Sequence, residues 1–185
     1  MHTLLNDCWE FAKLHIDSTV EEARNAEWKP VDLPHDWLIA QTEDLYETAD
    51  AWYRRSLFIA HSNDGNCRRL RFDGVYMDCD VLVNETRVCS HAYGYTAFDA
   101  DLTDCLHDGE NEILVHIRHR SPNTRWYSGS GIYRDVELIT VPECHFVPDS
   151  LYVVTRREDN GWKVTVRTEL TGDIQKKNWS CICWW

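Results

Sequence analysis

The sequence predicts an all-β protein, a sandwich or barrel of short strands. Three observations carry this. Strand-like runs recur along the chain with Gly- and Asp-rich turns between them. Several runs alternate apolar and polar residues with a period of two, as strands with one buried face do. Helix-like sequence is confined to one short stretch, STVEEARN at 18–25, where Ser18 and Glu21 have the spacing of a capping box.

The elements follow in order. AWYRRSLFIA (51–60) is rich in strand formers and leads into the turn HSNDGN. In RRLRFDG (68–74), Leu70 and Phe72 alternate with Arg69 and Arg71. YMDCDVLVN (76–84) ends at a turn, NETR, and VCS continues the pattern. FDADL (98–102) alternates, and HDGEN (107–111) is a strong turn signal. EILVHIRH (112–119) places Ile113, Val115 and Ile117 on one face. DVELITV (135–141) closes the series. Beyond Pro148 the composition changes. LYVVTRR (151–157), a turn at EDNG and WKVTVRTEL (162–170) read as a hairpin, which cannot stand alone. The chain then runs through TGDIQKKNWSCICWW. A cut inside a second domain, an engineered boundary and a shifted reading frame would all produce such an ending.

Composition excludes some partners. A formal net charge of -12 and a pI near 5.1 argue against nucleic acid, which needs a basic face, and against an anionic membrane surface. No apolar run approaches the ~20 residues of a membrane span. The N-terminus has acids inside its short apolar part and no small-residue cleavage site, so a cytoplasmic protein with reduced thiols is expected. The 8 cysteines are scattered, and Cys181 and Cys183 have the wrong spacing for zinc. His116 and His119 fall on opposite faces of a strand. No metal and no cofactor are expected. The 9 tryptophans exceed the usual share for this length. Trp9 and Trp52 read as core, while other aromatics could stack on the apolar face of a sugar ring.

One stretch stands out. SPNTRWYSGSGIYRD (121–135) packs aromatics, arginines and glycines between two strands, where a shorter and plainer loop would do.

The order of segments resembles the N-terminal sugar-binding domain of glycoside hydrolase family 2, the β-galactosidase and β-glucuronidase family. The resemblance rests on WKPVDLPHDW (28–37), AWYRRSLFI (51–59), LRFDGVYMDCDVLVN (70–84), AYGYTAFDADLT (92–103), GENEILVHI (109–117) and SPNTRWYSGSGIYRDVELI (121–139). It implies a galactose-binding-like jelly-roll β-sandwich over 1–145. The 146–185 segment would then hold the first hairpin of an immunoglobulin-like β-sandwich. In that family a TIM barrel follows and carries both catalytic glutamates. The resemblance also departs at two points. Cys8 and Glu85 stand where the family usually has glycine.

Retaining glycoside hydrolysis needs two carboxyl groups about 5–5.5 Å apart. The family's acid/base lies in an Asn-Glu dipeptide of the barrel. Asn84-Glu85 and Asn111-Glu112 repeat that dipeptide here, but both fall at strand ends or turns of the jelly roll and read as solvated turn glutamates. No catalytic residue is therefore assigned, and the chain alone is expected to be inactive. The resemblance implies that the 121–135 loop reaches towards the barrel and completes the substrate pocket. Asn123 and Arg125 supply hydrogen-bonding groups for sugar hydroxyls, and Trp126 or Tyr127 a stacking face or pocket wall; interdomain packing is the alternative role for Asn123, Arg125 and Trp126. Asp36, beside His35, is a further polar candidate. Gly129 and Gly131 permit tight turns. Ile132 and Tyr133 read as packing, and Arg134 as an ion-pair or interdomain residue. A relative's cation-binding Asp aligns with Asn123 and Thr124, so that metal is not carried over. The implied partners are a β-glycoside and the barrel of the same enzyme. A free-standing carbohydrate-binding module and a scaffold domain whose loop docks a neighbour remain open alternatives. The sequons at Asn84 and Asn178 read as coincidences without export.

Overall fold

The computed structural model describes residues 1–40, 44, 46–123 and 129–172. The chain divides into two compact units, Met1–Thr140 and Val141–Trp185, whereas the sequence reading divides it after 145. Among the described residues no helix is long and apolar enough to cross a membrane.

The first unit is a two-sheet sandwich. Its larger sheet has six strands. At the centre lie β4 (Ala49–Ile59) and β10 (Gly109–His119), antiparallel over their full length from Gly109 opposite Ile59 to His119 opposite Ala49. Outwards on one side come β2 (Trp9–Leu14) and β3 (Lys29–Val31), and on the other β7 (Cys79–Val83) and β8 (Thr86–His91). The smaller sheet orders β1 (His2–Leu4), β12 (Val136–Pro142), β5 (Asn66–Phe72) and β9 (Phe98–Asp101). A two-stranded ribbon pairs β6 (Val75–Tyr76) with β11 (Gly131–Ile132).

The period-two pattern becomes the core. Ile113, Val115 and Ile117 are fully buried, as are Leu70 and Phe72 between the more exposed Arg69 and Arg71. Trp9 also packs in this core. Trp52 lies instead on the outer face of the six-stranded sheet, in a small cluster with Ala23 and Leu114. That cluster sits under α1 (Val20–Arg24), which presents Ala23 to it. The helix is capped one residue later than its sequence suggests. Thr19 accepts from the Glu22 N–H, and the Glu22 carboxylate accepts from the Thr19 N–H at 2.8 Å. Ser18 is diverted because its N–H and hydroxyl face the buried Asp50 carboxylate. A buried anion outcompetes a local cap for that residue.

The two departures from glycine carry a conformational cost. Cys8 has φ 58° and Glu85 φ 74°, both in the left-handed region that disfavours a Cβ. Cys8→Gly and Glu85→Gly are each expected to stabilise the unit by about 0.5–1 kcal/mol, offset in part by the freer unfolded chain. Thermal melts of the two variants check this, and a lowered midpoint in both would refute it.

The second unit holds the hairpin expected at 151–170. Its strands β14 (Tyr152–Glu158) and β15 (Gly161–Arg167) pair antiparallel. β13 (His145–Phe146) and β16 (Leu170–Thr171), which flank that hairpin in sequence, pair antiparallel with each other. Val153 opposite Val166, Thr155 opposite Val164 and Arg157 opposite Trp162 share one hairpin face, and its apolar members are all more than half exposed.

Candidate functional site

The connection after β10 is anchored before it begins. Arg120 donates to the Asp50 carboxylate at 2.6 Å and to Asp17 at 3.0 Å. The next residue, Ser121, donates its N–H to the Thr48 hydroxyl at 3.1 Å. Asn123 follows, exposed, and its Oδ1 accepts from the hydroxyl of the buried Tyr76 at 3.3 Å. Residues 124–128 lie outside the described residues, so Arg125, Trp126 and Tyr127 have no structural account. The chain is described again from Gly129.

The return is held by the segment around PHDW. The Asp36 carboxylate accepts through Oδ1 from the N–H groups of Leu38, Ile39 and Ser130 at 3.0, 3.0 and 3.1 Å. The first two bonds form a turn, as an aspartate readily does with the backbone ahead of it. The third ties that turn to the far end of the loop. His35 N–H donates to the Ile132 carbonyl and Trp37 N–H to the Ser130 carbonyl. Ser130 in turn donates its hydroxyl to the Tyr76 carbonyl at 3.1 Å. Asn123 and Asp36 are thus held at one end of the sandwich, through Tyr76 and Ser130.

Sequence reasoning missed several groups here. His119, at the end of β10, is 2% exposed, and among the described residues neither ring nitrogen has a hydrogen-bond partner. Burial pushes its pKa down, with Asp36 pulling the other way. It meets the Trp37 ring edge-on at 5.9 Å, and the Trp37 indole N–H is also buried without a partner. His116 faces the opposite side of β10, as its spacing from His119 requires, and bonds to Asp50 at 2.8 Å. Around Tyr76, which holds Asn123, lie Tyr95 and, against it, Tyr93, while Tyr133 donates its hydroxyl to the Gly94 carbonyl at 2.7 Å. Their signal was the aromatic pair flanking glycine in AYGYTAF.

The Asn-Glu dipeptides are structural. Asn84 donates to Asn111 at 2.7 Å and to the Cys105 carbonyl, and its Oδ1 accepts from the Glu112 N–H. Glu85 and Glu112 flank Arg24 at 2.9 and 3.6 Å on the outer face, with exposed side chains. Ion pairs this exposed contribute little. Among the described residues no group of three His, Cys, Asp or Glu side chains could hold a metal.

Residues 31–142 match the family model described as glycosyl hydrolases family 2, sugar binding domain. A β-galactosidase of Bacteroides ovatus is 34% identical over 170 residues, which cover 83% of this chain and 20% of that protein. A putative β-glucuronidase of Formosa agariphila is 28% identical over 183 residues, covering 92% and 17%. Among solved structures, a glycosyl hydrolase family 2 member from Bacteroides cellulosilyticus superposes with TM-score 0.75 at 32% identity, covering 91% of this chain and 25% of that one. A β-glycosidase from Bacteroides vulgatus superposes at 0.79 with 26% identity, covering 95% and 25%. The chain thus spans about a fifth of these curated relatives and a quarter of these solved chains.

Proposed function

The chain belongs to glycosyl hydrolases family 2, whose sugar-binding domain it carries, and from this we propose that it forms the N-terminal part of a retaining β-glycosidase. In this reading it shapes the substrate pocket, and both catalytic carboxylates lie in another domain. The observation that carries the reading is the match across 31–142 together with the superposition on solved family members. The relatives' names divide between β-galactosidases and β-glucuronidases, so the substrate class is a β-glycoside.

The geometry supports roles for Asn123 and Asp36 in this reading. Asn123 is exposed, with Oδ1 turned to Tyr76, which leaves its amide NH₂ to meet a sugar hydroxyl. Asp36 commits one oxygen to three N–H groups, and its part is to hold the loop's return in place for contact. Arg125 and Trp126 join the pocket as the resemblance implies. The segment 146–185 starts an immunoglobulin-like sandwich, and the apolar face of its hairpin is the side that further strands would cover.

Two measurements test this. The purified 185-residue chain is expected to leave 4-nitrophenyl β-galactoside and β-glucuronide intact, because two positioned carboxyl groups are required. Sustained hydrolysis would sink the assignment of catalysis to another domain. In an NMR titration with methyl β-galactoside or methyl β-glucuronide, the Asn123 side-chain amide is expected to shift. Shifts confined to residues away from Asn123 and Asp36 would overturn the pocket assignment.

A further inference from the structure

We propose that Tyr93 and Tyr95 offer a stacking surface for a pyranose ring of the bound β-glycoside, linked to Asn123 through Tyr76. This rests on the pocket reading above and extends it to residues that reading does not use.

The two rings stand on either side of Gly94, in the connection between β8 and β9. They remain 58% and 42% exposed, although the chain around them is tightly held. Gly94 is pressed on the buried Tyr76 ring. A Cβ there would lie 2.4 Å from Tyr76 Cδ2, so only glycine lets the backbone come this close. The Gly94 carbonyl accepts from the Tyr133 hydroxyl. At the flanks, His91 stacks on Phe98 with centroids 4.3 Å apart, and Thr96 bonds to His91 at 3.2 Å. The tyrosines are therefore displayed on a rigid support, with their ordering entropy met on folding and not on binding.

The buried Tyr76 ring links them to the polar candidate of the site. Tyr95 meets the Tyr76 ring at 5.5 Å, and the hydroxyl of that same ring holds Asn123. Tyr93 meets Tyr95 edge-on, with centroids 5.6 Å apart and ring planes inclined at 61°, so each ring offers its own face and not one shared plane. Apolar ring faces linked to an amide that fixes orientation match a pyranose, which has a C–H face and a rim of hydroxyls. Two rings are too small for a protein interface, which takes about 800 Å² from each partner.

The test is an NMR titration of the 185-residue chain with lactose and with methyl β-glucuronide. Tyr93→Ala and Tyr95→Ala are each expected to weaken binding about 5- to 10-fold, as withdrawing one ring face should. Tyr93→Phe and Tyr95→Phe keep the face and are expected to stay within about twofold. Tyr93→Ala is the cleaner variant, since its ring is the more exposed, and an unchanged melting temperature verifies its fold. Asn123→Ala runs alongside. If it loses binding while both Tyr→Ala variants bind as the parent does, the stacking surface is wrong and the pocket reading stands. If the Tyr→Ala variants lose binding and Asn123→Ala does not, the stacking surface stands and Asn123 falls. If neither sugar binds the parent chain, both fail.

Discussion

Gly131→Ala is expected to destabilise the first unit by about 3–4 kcal/mol, a large share of the roughly 5–15 kcal/mol that holds a domain folded. Two penalties combine. Gly131 has φ 142°, which residues with a Cβ rarely adopt. A Cβ would also lie 2.3 Å from the His35 carbonyl oxygen and 2.6 Å from the Tyr53 hydroxyl. Neither neighbour can step aside. The His35 N–H is bonded to the Ile132 carbonyl, and the Tyr53 hydroxyl to His35 Nδ1 at 2.8 Å. Relief would separate the PHDW segment from the loop's return, the contact that places Asp36 against Ser130. Gly65→Ala is the control, because Gly65 has φ 74° but nothing within 4 Å of its added Cβ. It gives the cost of a positive φ without a clash, expected to be about 1 kcal/mol. Urea unfolding of both variants decides the matter, and equal costs would refute the steric part of the argument.

Asp50→Asn is expected to cost about 2–3 kcal/mol, without the cavity that a smaller residue would leave. Asp50 is fully buried on the outer side of the six-stranded sheet. Its oxygens accept from Arg120 at 2.6 Å, His116 at 2.8 Å and the Ser18 N–H at 3.2 Å. Burial alone would raise its pKa, but the bonds from Arg120 and His116 outweigh it and hold the carboxyl below the ordinary range. Trp52 closes the site from the side, stacked on His116 at 4.0 Å and donating to Ser18. An asparagine turns an NH₂ towards one of these donors and leaves the arginine without its buried counter-charge. Partial solvation of Arg120, whose side chain is 39% exposed, keeps the loss below that of a wholly buried pair. Arg120 also precedes Ser121, where the 121–135 loop leaves the sheet, so the same variant should loosen the start of the candidate site. Asp17→Asn removes Arg120's other partner, which is 86% exposed, and is expected to stay within about 0.5 kcal/mol. An Asp50→Asn midpoint no lower than that of Asp17→Asn would show that the buried charge does not hold this corner.

Much of the sandwich was legible because strand alternation is local. Ile113, Val115 and Ile117 fall on one face whatever they pack against, and a buried face demands apolar residues at every second position. The turn glycines at 109 and 161 are local too, with φ 95° and 148°. The special character of the 121–135 stretch also showed in residue types alone, whereas the glycine-like positions at Cys8 and Glu85 rested on the family resemblance.

What the chain could not disclose by itself depends on which residues meet from distant segments. Ser18 looks like a helix cap until Asp50 arrives from 32 positions away to claim it. Asp36 reads as a polar candidate for the substrate until Ser130 closes on it across 94 positions. Gly131 reads as a turn glycine, yet its requirement comes from the His35 backbone pressed against it in a strand. Tyr93 and Tyr95 carry no assignment in the sequence until Gly94 settles on Tyr76, the ring that meets Tyr95 and holds Asn123. Periodicity determined which faces are buried, because each residue's direction is set by its own backbone. Tertiary packing decided which polar groups and rings come together, because hydrogen bonds and ring contacts act over a few ångströms and only folding brings such distant residues that close.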